Sequence, residues 1–129
     1  MVSGEVRFTM AQEFALKRAY DDAAESDGMR VLVDRLWPRG LKRERAAIDR
    51  WAKEIAPSSD LRKWWHREPE RFDEFAARYR AELAGSDAVE RFLADTAQES
   101  RVTLVYAARN EERNHALVLL DVLRESQER

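Results

Sequence analysis

Two short apolar runs constrain this chain more than any other feature: Met29-Arg30-Val31-Leu32-Val33 and Val102-Thr103-Leu104-Val105-Tyr106. Each is rich in β-branched residues and stops abruptly at polar ones, the mark of a buried strand. Glu13 to Tyr20 reads as a further strand, with Phe14, Leu16 and Arg18 alternating against Ala15, Lys17 and Ala19. The segment between the two runs reads as helical. Arg45 to Lys53 carries Ala46, Ala47, Ile48 and Trp51 and stops before Pro57, which disfavours helical geometry at Ala56. Ser58 or Ser59 can cap a helix through Leu61, Trp64 and Trp65. Pro69 suits the first turn of a longer helix whose apolar positions are Phe72, Phe75, Ala76, Tyr79 and Leu83, ended by Gly85. Asp87 with Glu90 resembles a capping pair for another helix. A last helix is expected from about Glu111 to Arg124. Strand, long helical excursion, strand and helix make the pattern of parallel pairing with crossovers. The expected fold is therefore α/β: a small, mostly parallel sheet flanked by helices, as one three-layer-like domain over residues 13–126. Residues 1–12 are expected to be an extension or an extra strand.

In such sheets ligands sit beyond the carboxyl ends of the strands. Here those ends are Asp34 and Tyr106, which brings two distant polar segments to one place. The first is Asp34-Arg35-Leu36-Trp37-Pro38-Arg39-Gly40. A guanidinium is a planar fork suited to carboxylate or phosphate, and it stacks on indole. Arg35 and Arg39 beside Trp37 can thus hold a planar anion. The structural alternative is that Asp34 pairs with an arginine while Trp37 fills a gap under the loop. The second segment runs from Tyr106 through Arg109, Asn110, Glu111, Glu112 and Arg113 to Asn114 and His115. A histidine there can donate to an anion or exchange protons near neutral pH. Against an anion stand Glu111 and Glu112, placed by this reading in the first helical turn. The structural alternative is that Asn114 and His115 bond only to neighbouring backbone.

Composition removes several chemistries. With 129 residues, 44% of them hydrophobic, the chain is one globular domain. Its net charge of −2 gives no whole-domain basic field for nucleic acid. Cysteine is absent, so disulfides, thiolate catalysis and cysteine-ligated metals are excluded. Two histidines without short metal spacing argue against zinc, and no cofactor or metal is expected. The four glycines form no phosphate-binding cluster. No window reaches transmembrane length, which leaves no membrane partner and a cytoplasmic setting as the expectation.

Several long motifs carry a family resemblance. They are VLVDRLWPRGLKRE (Val31 to Glu44), KRAYD (Lys17 to Asp21) with Ser26-Asp27-Gly28, KEIAPSSDLRKWWH (Lys53 to His66), and Thr103 to Leu119 with its NHALVL end. On these the chain resembles the YeaO-like family of domain of unknown function 488 (DUF488), from about Phe14 to Leu123. The resemblance implies a small α/β fold and a bacterial-type cytoplasmic protein, and it implies no activity. Other branches of that superfamily carry a comparable aspartate–arginine strand end and a later Cys-His-Arg sequence. At that place this chain has Asn114-His115-Ala116, so only His115 matches. Tyr106 stands where those relatives often carry another cysteine. The arrangement is also distantly similar to rhodanese-like domains, whose cysteine heads an anion-cradling loop; that activity needs the thiol this chain lacks.

The leading expectation is a strand-end site for an anionic, ring-containing small molecule, nucleotide-like or phosphorylated. Asp34 and His115 are the candidates for acid/base work. Arg18, Tyr20, Arg35, Trp37, Arg39, His66, Tyr106, Arg109 and Asn114 are the candidates for binding. Two rivals belong to other classes. An exposed Trp64 or Trp65 can anchor a protein partner, and the basic stretch Arg39 to Arg45 can touch a phosphate backbone. Nucleic acid ranks last because of the net charge, and the oligomeric state is left open.

Overall fold

The computed structural model describes residues 12–128. The expected extension or extra strand over residues 1–12 lies, apart from Gln12, outside them. The described chain forms a four-stranded sheet in the order β1-β4-β2-β3, with β1 at Glu13–Arg18, β2 at Met29–Leu32, β3 at Arg50–Trp51 and β4 at Arg101–Tyr106. All pairings are parallel. β4 lies between β1 and β2, in register Leu16 to Leu104 and Val31 to Leu104. The small, parallel α/β fold expected from the two apolar runs is the fold observed.

Alternation along the strands separates two cores. Phe14, Val31, Val33, Val102, Leu104 and Tyr106 face the larger one. It is covered by α3 (Phe72–Ala84), α4 (Ala88–Asp95) and α5 (His115–Gln127), with α2 (Ser59–Arg67) packed on α3. Leu32, Val105 and Ala19 face the smaller one, under α1 (Arg43–Ala46) and the loop that carries Trp37 and Leu41.

The smaller face also buries charge. Arg30, only 3% exposed, donates to Asp27 at 2.6 Å and twice to the Ala46 carbonyl. Lys17 reaches the same carboxylate at 3.0 Å, and Thr103 donates to the Asp27 carbonyl. Burial pushes the Asp27 pKa up, but the Ala24 N–H, Lys17 and Arg30 outweigh it, and the carboxyl settles below its usual value.

Several local expectations need correcting. β1 ends at Arg18 rather than Tyr20. The helix expected over Arg45 to Lys53 is three pieces: α1, the edge strand β3 and a 3-10 turn at Lys53–Ile55. Ala47 breaks the helix at φ 49°, and pairing of Leu32 with Trp51 then captures the next residues as a strand. Tertiary pairing has overridden local propensity. Pro69 lies in the turn between α2 and α3, because α3 starts only at Phe72. Ser58 caps α2, as expected, accepting from the Leu61 N–H. At α4 the Asp87 side chain makes no cap; Ser86 Oγ accepts from the Ala88 N–H instead. The last helix begins at His115, not Glu111, with Asn114 as its cap.

Two stability predictions follow from the charged face. Asp27→Ala leaves Arg30 buried without its partner and is expected to cost about 3–5 kcal/mol in urea unfolding. Since folding lowers the Asp27 pKa, its contribution is complete above the carboxylate range and is lost as pH falls below roughly 4. The wild type should therefore lose its stability advantage over Asp27→Ala in acid. At Gly28 (φ +67°) an added Cβ would lie 2.3 Å from the Arg101 carbonyl oxygen, whereas at Gly40 (φ +73°) it would meet nothing within 4 Å. Gly28→Ala is expected to destabilise by on the order of 3 kcal/mol, against about 1 kcal/mol for Gly40→Ala.

Candidate functional site

The two central strands deliver their carboxyl ends side by side. Val33 continues the ladder by donating to the Val105 carbonyl at 3.0 Å, and Asp34 and Ala107 then leave the sheet together. There Asp34 Oδ2 accepts from the Ala107 N–H at 3.1 Å, while the Asp34 carbonyl accepts from Trp51 Nε1 at 2.7 Å. One residue thus ties β2 to both of its neighbouring strand ends.

His115, first residue of α5, meets Asp34 at this point. Its Nε2 lies 2.9 Å from Asp34 Oδ1 and 3.2 Å from the Val33 carbonyl. A ring nitrogen between two acceptors carries the proton, so the neutral ring keeps Nδ1 as its acceptor. The N–H aims at the Val33 carbonyl. Asp34 Oδ1 is close but off that axis, and it stays buried without an aligned donor. Asn114 fixes the helix start: its Oδ1 accepts from the Leu117 N–H, and its Nδ2 donates to the Asn110 carbonyl. Glu111 and Glu112 lie in the preceding loop, so they do not occupy the first helical turn.

Around this pair opens a cavity of about 420 Å³. Its apolar wall includes Leu36, Trp37, Pro57, Trp65 and Phe75. Trp65 stacks on Phe75 with ring centroids 4.0 Å apart and planes at 16°. Leu36, 59% exposed, and Tyr20, 36% exposed, stand at the mouth. Beneath it, Tyr79 donates to the Ile55 carbonyl. Burial pushes the Tyr79 pKa well above the usual phenol range, with the Glu82 and Asp34 carboxylates adding to the shift.

Of the residues expected at the site, Asp34, Arg35, Trp37, Arg39, His66, Tyr20 and His115 line this cavity. Their duties differ. Arg35 Nε donates to the Pro57 carbonyl at 2.9 Å, clamping the segment before α2. Trp37 donates to the Leu41 carbonyl and lies under the Arg43 guanidinium. Arg39 accepts at its carbonyl from Tyr20, and its guanidinium pairs with no carboxylate among the described residues. Arg18, Tyr106, Arg109 and Asn114 fall outside the lining. Arg18 is spent on the Ala107 and Ala108 carbonyls. Tyr106 is buried; desolvation pushes its pKa up, the Glu111 carboxylate adds to this, and Asn114 bonds its hydroxyl. Arg109 is exposed in the loop.

Arg62 belongs to the cavity and was missed by sequence reasoning. Its Nε is buried and has no hydrogen-bond partner among the described residues. The signal was available, because Arg62 shares one face of α2 with Trp65 and His66 at spacings of three and four residues. Among the described residues no group of acidic, histidine or cysteine side chains is arranged to hold a metal ion. No helix among them is long and apolar enough to cross a membrane.

The profile of the family described as "Inactive DUF488-N3 subclade" matches residues 13–129. The uncharacterized protein YeaO of Escherichia coli is 52% identical over 108 residues, covering 84% of this chain and 94% of that protein. Uncharacterized proteins Mb3100c of Mycobacterium bovis and Rv3073c of Mycobacterium tuberculosis are each 47% identical over 106 residues, covering 82% of this chain and 89% of theirs. No solved structure gives a significant match. A profile match over most of the chain, and relatives this similar over nearly their whole length, show that the chain belongs to the YeaO-like DUF488 family.

Proposed function

We propose that the strand-end cavity binds a small anionic molecule that carries a planar ring. The observation that carries this reading is a cavity of about 420 Å³ whose lining brings Arg35, Arg39, Arg62 and the Asp34–His115 pair together with the Trp37 and Trp65 rings. The volume lies in the range of small-molecule pockets, roughly 300–1,000 Å³. Trp65 and Trp37 contribute aromatic surface to the lining, and the Arg39 guanidinium there pairs with no carboxylate among the described residues.

Binding without turnover is the form of this reading we favour. The family is described as inactive, and the chain has no cysteine to act as a nucleophile. Asp34 and His115 form a carboxylate–imidazole pair of the kind used for proton transfer. Here their clear duty is to hold the two strand ends and shape the floor of the pocket. A cytoplasmic setting belongs to the same reading, supported by the absence of cysteine and by the bacterial relatives. A tryptophan-anchored protein contact ranks second, since Trp65 is engaged with Phe75 and Trp64 is half-buried with Arg78 4.2 Å from its ring. Phosphate-backbone binding by Arg39 to Arg45 ranks third, since Arg43 covers Trp37 and Arg45 pairs with Asp22.

A thermal-shift screen against nucleotides, sugar phosphates and aromatic carboxylates tests the reading, with wild type, Arg39→Ala and Trp65→Leu compared. A ligand at a hundred times its dissociation constant should stabilise by about 2.7 kcal/mol, a rise in Tm of roughly 8 °C. Arg39→Ala should leave the free protein's Tm unchanged and weaken the ligand about tenfold. A full shift retained in both variants, or no shift with any compound, would contradict the proposal.

A further inference from the structure

The charge of the cavity is unbalanced, and we infer from it the class of its ligand: a phosphate monoester with two negative charges, in preference to a singly charged carboxylate or sulfate. This deepens the cavity reading and rests on it. Arg35, Arg39 and Arg62 line the cavity, and Asp34 is the one carboxylate among its described lining residues. With both histidines neutral, two positive charges stand in excess at one place on a chain whose net charge is −2. Asp34 is committed to the Ala107 N–H and lies 2.9 Å from His115 Nε2. None of the three arginines pairs with a carboxylate among the described residues. Arg35 donates to the Pro57 and Ala56 carbonyls, while the Arg39 and Arg62 guanidinium groups make no hydrogen bond among those residues. Elsewhere on the surface arginines are matched: Arg50 meets Glu54 and Asp95, Arg71 and Arg78 meet Glu74, and Arg80 meets Glu125.

Like charges gathered without counter-ions repel one another, and an occupant of opposite charge removes that cost. A compact space of about 420 Å³ is roughly 9 Å across, less than the Debye length of about 10 Å, so the lining charges act on one occupant together. A carboxylate has two oxygens, which a single guanidinium fork satisfies. A phosphoryl group has three, and its second pKa of about 6 leaves it doubly ionised above neutral pH. It can engage the Arg39 and Arg62 forks at once, whereas a monoanion leaves one of them unmatched. Arg62 reaches the cavity from α2 and Arg39 from the loop after β2, so a bound phosphoryl group would bridge the two elements. The aromatic surface of Trp37 and Trp65 is then left for the ring.

Calorimetric titration at about pH 7.5 with phenyl phosphate, phenyl sulfate and benzoate isolates the charge, because the two esters share a ring and a tetrahedral group and differ by one ionisation. Phenyl phosphate should bind at least about tenfold more tightly than either monoanion. Arg39→Gln and Arg62→Gln each remove one charge and no guanidinium hydrogen bond among the described residues. Each variant should keep the wild-type Tm while the lead of phenyl phosphate falls to roughly threefold or less. Should one variant fail to fold, the other decides. Equal binding of the three probes would overturn the phosphate inference and leave the cavity reading standing. A phosphate lead that survives in both variants would overturn it as well, since the charge excess would then not be its source. Failure of every probe to bind would overturn both.

Discussion

The Asp34 carboxylate is the contact on which this end of the molecule depends. β2 and β4 are neighbours in a parallel sheet, so nothing but side chains and loops can fasten their carboxyl ends once the ladder stops. Asp34 does this with one oxygen on the Ala107 N–H, while its carbonyl holds the Trp51 indole on the far side. His115 closes the arrangement from α5 by donating to the Val33 carbonyl. Three strand ends and a helix start are thus registered on two consecutive residues. The second carboxylate oxygen is buried 2.9 Å from His115 Nε2, so the pair that fastens the strand ends also belongs to the lining of the cavity.

Much of this was legible in the sequence, for a definite reason. Val31 to Val33 and Val102 to Tyr106 are buried on both faces, so their character as parallel strands is written into uninterrupted apolar runs. Placing Asp34 and His115 together needed only the rule that parallel strands end on the same side. The segment from Arg45 to Lys53 was misread because its alanines and charges have helical propensity, whereas its structure is set by a long-range pairing of Trp51 with Leu32. The start of the last helix was misread in the same way. Glu111 and Glu112 resemble a first turn, but the Asn114 side chain caps four residues further along than expected.

The roles of the arginines were the least legible, because one residue type does different things in nearly the same place. Arg30 is buried in an ion pair under the sheet, Arg35 and Arg18 hold loop carbonyls, and Arg43 covers an indole. Among the described residues the Arg39 guanidinium pairs with no carboxylate and the Arg62 Nε has no hydrogen-bond partner. Sequence spacing cannot rank such residues, since what separates a clamp from a ligand contact is whether a carbonyl lies within reach after folding. The chain carries no cysteine, and the cavity at its strand ends is lined by arginines, histidines and aromatic rings.

The most direct test is a two-dimensional ¹H–¹⁵N correlation spectrum recorded while nucleoside monophosphates are titrated in. The tryptophan indoles act as built-in reporters, since Trp37 and Trp65 line the cavity, Trp51 packs edge-on against Trp37, and Trp64 lies beside Arg78 outside the lining. If the strand-end cavity is the binding site, the Ala107 and Ala108 amides and the Trp65 indole should shift together and saturably, while the Trp64 indole beside Arg78 stays still. Shifts centred on Trp64, or a spectrum unmoved by any nucleotide and by the other ring-bearing anions, would contradict it.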